Sequence, residues 1–203
     1  MRTAVMGILL AGIGLCAGCA TDNASHQARI YEPAFLTKNL KSHNLLGSPS
    51  FEETNSLAWV PSSWRSDTEA ASFSRIAGPN GKETTCALIN TSTNDDVSFT
   101  QTVQVKPKTK YLLSGWVKYE KVTVEEKGPY GKIGVNLCIA GTWDHSSPLL
   151  EGSSDWKYLT LVFDSGDRSV LGVSARLGYY SNTTTGTAWF TDMCLVELPD
   201  KSQ

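Results

Sequence analysis

The strictest pattern in this chain is the period of two at Ser169–Leu177, where Leu171, Val173, Ala175 and Leu177 alternate with Gly172, Ser174 and Arg176. Successive side chains on a strand point to opposite faces, so this spacing makes one apolar and one polar face, whereas a helix would repeat at 3.6. The pattern recurs. Ile133, Val135, Leu137 and Ile139 oppose Gly134, Asn136 and Cys138; Tyr111, Leu113, Gly115 and Val117 oppose Leu112, Ser114, Trp116 and Lys118; Leu159, Leu161 and Phe163 form another inward set. Strands are predicted at Ser72–Ile76, Thr85–Asn90, Ser98–Val105, Tyr111–Tyr119, Lys132–Ala140, Trp156–Phe163, Ser169–Leu177 and Thr187–Leu198. Between them Gly78-Pro79-Asn80-Gly81, Asn94-Asp95-Asp96, Pro107 and Ser165-Gly166-Asp167 favour turns. No long segment keeps a capped helical period, so the reading is an all-β sandwich of antiparallel sheets.

The N-terminus has a different character. Arg2 is followed by the apolar stretch Ala4–Leu15 and then Cys16-Ala17-Gly18-Cys19. A positive start, a short apolar run and small residues form the layout of a secretory signal, too short for a comfortable membrane span. The small residues before Cys19 resemble the lipobox of bacterial lipoproteins, with Cys16 where that motif usually carries Leu. The resemblance implies lipidation of Cys19 after cleavage; a leader cut at another site is the other reading. A C-x-x-C redox pair inside a leader makes no chemical sense. Residues 1–18 are thus read as leader, 19–41 as a polar tether, 42–200 as one domain and 201–203 as a tail. Within the tether, Ile30-Tyr31 and Phe35-Leu36 are apolar pairs suited to docking on the domain. Ala20 after the cysteine, in place of the aspartate that usually retains lipoproteins in the inner membrane, favours the outer membrane of the cell envelope.

The formal net charge of -2 gives no polybasic surface for nucleic acid or anionic lipid, so membrane contact is expected only through the anchor. Beyond Cys19 the cysteines are Cys86, Cys138 and Cys194. An exported protein can oxidise two of them, and the three pairings stay open; their apolar surroundings favour a buried thiol for at least one. Their spacing suggests no zinc site.

Asn44-Leu45-Leu46 leading to Phe51-Glu52-Glu53 and Trp64 resembles the opening of carbohydrate-binding modules of the family 4, 9 and 22 group. Phe99-Thr100-Gln101-Thr102-Val103 through Pro107 to Tyr111-Leu112-Leu113-Ser114-Gly115-Trp116-Val117-Lys118 is similar to their central signature. Leu150-Glu151-Gly152 with Asp155-Trp156, and Gly186-Thr187-Ala188-Trp189-Phe190-Thr191-Asp192, resemble two later segments. The resemblance covers about Asn44 to Leu198 and implies a jelly-roll β-sandwich that binds a polysaccharide or glycan on a concave sheet.

Sugar rings present apolar C–H faces ringed by hydroxyls, which suits aromatic faces with a few orienting polar groups. Trp116, Lys118, Asn136 and Arg176 are expected on one outer surface if their strands share a sheet, with Trp143, Tyr179 and Tyr180 on nearby loops. Arg176 brings a planar fork of donors, and Asn136 both donates and accepts. Each also has a structural reading: Trp116 packed on a sheet edge, Arg176 paired with a carboxylate, Trp143 packed in its loop, and one of Tyr179-Tyr180 in the core. Trp64 and Trp156 match positions that are usually structural. The resemblance also implies a structural Ca2+ that joins the first and last strands through Glu52 and Asp192, oxygen ligands of the kind calcium prefers.

No G-x-S-x-G, H-E-x-x-H or Gly-rich phosphate loop occurs. Asp144-His145-Ser146-Ser147 holds the ingredients of a triad, but adjacent residues rarely converge as a triad must. Asp95-Asp96, Glu125-Glu126 and Asp164/Asp167 read as turn carboxylates rather than a glycosidase pair. The expectation is a non-catalytic glycan binder, with an envelope-structural or protein-binding lipoprotein as the alternative use of the same sandwich.

Overall fold

The computed structural model describes residues 43–52, 58–67, 69–125, 132–146, 150–179 and 182–199. The residues read above as leader, tether and tail, Cys19 among them, and Tyr180 lie outside the described residues. Among those described, no helix is long and apolar enough to cross a membrane.

Among the described residues nine strands form two antiparallel sheets. They are β1 (Val60–Ser63), β2 (Ala71–Ala77), β3 (Glu83–Asp95), β4 (Val97–Gln104), β5 (Lys110–Val124), β6 (Val135–Ile139), β7 (Gly152–Asp164), β8 (Val170–Leu177) and β9 (Thr184–Glu197). One sheet has the order β1-β4-β8-β6 and the other β2-β3-β9-β5-β7. The jelly-roll sandwich expected from the sequence is the observed architecture.

The alternation sets which faces meet. Tyr111, Leu113 and Val117 of β5, Leu159, Leu161 and Phe163 of β7, and Leu171, Val173, Ala175 and Leu177 of β8 all enter the shared core. Phe51, Phe73, Phe99 and Trp59 make an aromatic centre, with Phe51 and Trp59 centroids 5.0 Å apart. Each large apolar side chain buried here contributes about 1.5–3 kcal/mol relative to exposure. The buried tryptophan of the opening segment is therefore Trp59, at 4% exposure, while Trp64 is 73% exposed and carries no core role.

Two sequence expectations are corrected. Ile133 does not join the core face of its strand: β6 begins at Val135, and Ile133 packs with Cys138 and Tyr179 in a separate cluster. Strand β1, Val60–Ser63, has three exposed residues, Pro61 among them, so no apolar alternation announces it. Pro61 fits there because β1 is an edge strand, where the missing N–H leaves no central ladder bond unmade.

Turn chemistry holds the registers. In the β2–β3 hairpin Gly81 adopts φ 76, Gly78 N donates to Lys82 O at 2.7 Å, and Lys82 N donates to the Asn80 side chain at 2.9 Å. At the end of β9, Trp116 pairs with Thr191 and Ser114 with Cys194, so β9 carries one extra residue. Asp192, at φ 51, sits in this bulge. Met193 N donates to Pro49 O at 2.9 Å and Ser50 Oγ donates to Asp192 Oδ1 at 2.7 Å, which joins the start of the domain to its last strand.

None of Cys86, Cys138 and Cys194 is in a disulfide, and all three are buried. Burial in apolar surroundings pushes the Cys86 thiol up to about 12 and that of Cys138 up to about 11.

Candidate binding face

Trp116 and Lys118 stand on the outer face of the five-stranded sheet, opposite the core-facing Val117. Asn136 and Arg176 stand on the outer face of the four-stranded sheet, where Asn136 of β6 pairs with Arg176 of β8. The expected gathering of all four on one surface therefore does not occur, because β5 belongs to one sheet and β6 and β8 to the other.

On the four-stranded side the polar residues are engaged with the protein. Arg176 Nε and Nη2 donate to Asp96 at 2.6 and 2.7 Å, a two-pronged contact at the corner where the chain passes from β3 to β4. Burial opposes the guanidinium charge, but the hydrogen bond and charge of Asp96 outweigh it and hold its pKa up. Burial also raises Asp96, more than Arg176 lowers it. At this distance the two groups form an ion pair. The Arg176 guanidinium also lies over the Tyr179 ring, 4.8 Å from its centroid. Tyr179 is 1% exposed, and its hydroxyl donates to the carbonyls of Ile139 and Thr142. Asn136 Nδ2 donates to Gly134 O and Gly178 O. These three residues bind the 140–146 loop and the strand ends together. Trp143, on that loop, is 53% exposed.

Of the triad ingredients, Asp144, His145 and Ser146 lie on this loop and Ser147 lies outside the described residues. Thr142 Oγ1 donates to Asp144 Oδ2 at 3.1 Å, His145 Nδ1 lies 3.0 Å from Ser146 O, and Ser146 Oγ accepts from Leu137 N. Each group is spent on local structure, and no hydroxyl–imidazole–carboxylate relay forms among them.

The five-stranded side carries the aromatic surface. Pairing places Tyr158 of β7 opposite Trp116, and Trp189 of β9 between Lys118 of β5 and Leu88 of β3. The rings of Trp116 and Tyr158 meet edge to face at 5.0 Å and 66°. Tyr158 donates to Ser114 Oγ at 2.9 Å, and burial raises its phenol pKa above the usual value. Trp156, also outward on β7, donates from Nε1 to Ala77 O at 3.0 Å. Ala77 ends β2, at the opposite edge of the same sheet. A contact between the two edge strands requires this outer face to curl in on itself, so it is concave. Trp116, Trp156, Tyr158 and Trp189 each keep part of their surface open.

At one end of the face Lys118, Glu120, Lys121, Ser153, Ser154 and Asp155 line a shallow depression of about 430 Å³. It opens where the β5–β7 register shifts twice, and Lys118 Nζ lies 3.6 Å from Asp155 Oδ1. Aromatic rings beside mixed donors and acceptors can stack on an apolar ring face and hold its hydroxyls.

The sequence reading gives Trp156 a structural place and passes over Tyr158 and Trp189, although its own alternation holds the signal. With Leu159, Leu161 and Phe163 inward, Trp156 and Tyr158 must point outward, and Trp189 lies between the inward Ala188 and Phe190.

Asp192 and Glu52, the expected calcium ligands, lie near the joined chain ends, with Glu52 exposed and Asp192 accepting from Ser50. Among the described residues no group of three or more His, Cys, Asp or Glu is placed to hold a metal ion. Pro49 O, a nearby carbonyl, already accepts from Met193 N.

No protein-family model and no curated protein matches the chain by sequence. Solved structures match it by shape. A family 61 carbohydrate-binding module in complex with β-1,4-galactotriose matches with TM-score 0.50 and 16% identity, over 76% of this chain and 99% of that one. An arabinose-bound GH51 α-L-arabinofuranosidase matches with TM-score 0.52 and 14% identity, over 79% of this chain and 27% of that one. The enzymatically active domain of bacteriophage CBA120 tailspike protein 4 matches with TM-score 0.51 and 13% identity, over 76% of this chain and 21% of that one. The chain spans about a quarter or less of the two larger proteins but nearly all of the single module. At these identities the likeness concerns the fold alone: this chain shares the β-sandwich fold of a carbohydrate-binding module along almost that module's full length.

Proposed function

We propose that the concave outer face of the five-stranded sheet binds a polysaccharide or glycan without catalysing its cleavage. The observation that carries this reading is the convergence of Trp116, Trp156, Tyr158 and Trp189 from β5, β7 and β9 on that one face. In this reading Trp116 and Trp189 stack on sugar rings, Tyr158 backs Trp116, and Lys118 with Asp155 orients hydroxyl groups. The structural module that matches over its whole length was solved with β-1,4-galactotriose, which supports a carbohydrate ligand for this chain. The engaged state of Asp144, His145 and Ser146 supports a binding role over a hydrolytic one.

We further propose that Cys19 carries the lipid and holds the domain on the envelope, on the outer membrane where the cell has one. Many copies on one membrane gain avidity for a polymer that bridges them, even when each face binds weakly. Trp143, Tyr180, Asn136, Arg176 and Tyr179 are left out of the contact set. A glycan array probed with the full chain and with Trp189→Ala tests the reading: the chain retains at least one polysaccharide and the variant loses it. Retention of no polysaccharide overturns it.

A further inference from the structure

The β2–β3 hairpin follows the five-stranded sheet along only part of its length. Strand β3 pairs with β9 from Ala87 onward, whereas residues 83–86 pair with β2 alone. Beyond Ala87 the hairpin end leaves the ladder and folds over the outer face, and two contacts fix its course. Thr191 of β9 points outward, next to the core-facing Phe190. Its Oγ1 donates to Thr85 O at 3.0 Å and lies 3.3 Å from Thr84 Oγ1. On the far side, Ala77 O accepts from Trp156 Nε1 of β7 at 3.0 Å.

The dimensions agree with this course. Strands β3 and β7 stand three strand spacings apart, about 14 Å. The stretch from Cys86 to Glu83, which is paired with Ala77, covers about 10 Å. The indole of Trp156 covers the remainder.

Sheet edges that meet over a concave face turn its groove into a roofed channel along the strands. The roof lies over Thr191, Trp116 and Tyr158, which the pairing sets side by side on β9, β5 and β7. Thr191 and Cys86 are fully buried there. One step along the strands, Leu88, Trp189 and Lys118 form the next row and each keeps part of its surface open. From Lys118 the open floor continues into the depression that ends at Asp155.

We propose that this face holds the end of a glycan chain and excludes interior segments. The inference rests on the glycan reading above and narrows its substrate class. An interior segment carries polymer on both sides, so it enters only a groove that is open along its whole length. The bridge from Ala77 to Trp156 bars that entry above Trp116. A chain therefore arrives from the Trp189 side, terminus first. Its last ring reaches Trp116 beneath the roof, the ring before it stacks on Trp189, and the rest leaves past Lys118 and Asp155. Trp156 is the wall that selects the terminus.

Calorimetric titration of the full chain counts binding sites per gram of polysaccharide and separates the two modes. An array of plant, algal and microbial polysaccharides selects the probe, which is then titrated intact and after partial acid hydrolysis. A terminus binder gains sites in proportion to the ends created, so a tenfold shortening of the chains is expected to raise sites per gram tenfold. Sites per gram unchanged by hydrolysis overturn the proposal and leave the glycan reading standing. Retention of no polysaccharide on the array overturns both. The parent comparison needs no variant. In Trp156→Ala, folded by circular dichroism, the roof loses its far anchor, and the intact polysaccharide is expected to gain at least threefold in sites per gram. No gain in that folded variant overturns the assignment of the wall to Trp156.

Discussion

Tyr158 meets Trp116 edge to face, with ring centroids 5.0 Å apart, while its hydroxyl donates to Ser114 Oγ on the same strand as Trp116. One residue of β7 thus holds the tryptophan of β5 by ring contact and locks its own ring by a hydrogen bond. Tyr158→Phe keeps the ring and loses the bond, at a cost of about 0.5–1.5 kcal/mol in stability. Tyr158→Ala removes the backing of Trp116 as well. Calorimetric titration with the best array glycan should show near-parental affinity for Tyr158→Phe and a loss of about tenfold or more for Tyr158→Ala, the scale of one anchoring aromatic.

Arg176 supports the fold and makes no ligand contact in this account. Its side chain is 21% exposed and that of Asp96 4%, so removing one partner leaves an uncompensated charge in a poorly hydrated corner. Asp96→Ala should lower stability by roughly 3–5 kcal/mol in urea unfolding. Glycan affinity of the protein that remains folded should stay within twofold. A variant of parental stability would contradict the pairing.

The buried thiols fix the direction of a pH effect. Burial raises Cys86 to about 12 from an ordinary thiol value near 9. A raised folded pKa contributes stability that is fully present below the unfolded value and lost as pH climbs through the folded one. Stability should therefore fall between pH 9 and 12, and Cys86→Ala should flatten that fall. Iodoacetamide should leave Cys86 and Cys138 of the native protein unmodified at pH 8, while both react in urea.

Gly134 precedes β6 where its backbone meets the start of β7. A Cβ there would collide with the Leu150 carbonyl and press on Val124 Cγ2 at 3.2 Å. Backbone on one side leaves little room to relax, so Gly134→Ala should cost about 1–3 kcal/mol. Gly47, where an added Cβ would meet Ala58 Cβ and Gln101 Oε1 at an ordinary contact distance of 3.8 Å, should tolerate the same change. Thermal unfolding of the two variants side by side checks the difference.

The sandwich was legible because its strands alternate. Eight of the nine strands, and the inward sets of β5, β7 and β8, follow from a period of two and turn residues. Strand β1 was hidden because its four residues pair with β4 at an exposed edge and bury little. The site was legible only in half, since alternation tells which residues share a face of one strand and says nothing about which strands share a sheet. Trp116 and Lys118 share the outer face of one sheet, whereas Asn136 and Arg176, expected beside them, lie across a sheet boundary. Arg176 looked like a ligand donor because its partner, Asp96, lies 80 positions away in sequence. The bulge at Asp192 likewise breaks the period in β9 and obscures that Trp189 and Cys194 point to the same side.

The central claim is that glycan binds the aromatic face of the five-stranded sheet. Its most direct test is calorimetric titration of the array-selected polysaccharide into three proteins: the parent, Trp116→Ala with Trp189→Ala, and Trp143→Ala, which alters the exposed aromatic on the loop after β6. The account predicts that the double variant, folded by circular dichroism, loses measurable binding while Trp143→Ala binds within twofold of the parent. Binding that survives the double variant, or that disappears with Trp143→Ala alone, would contradict it.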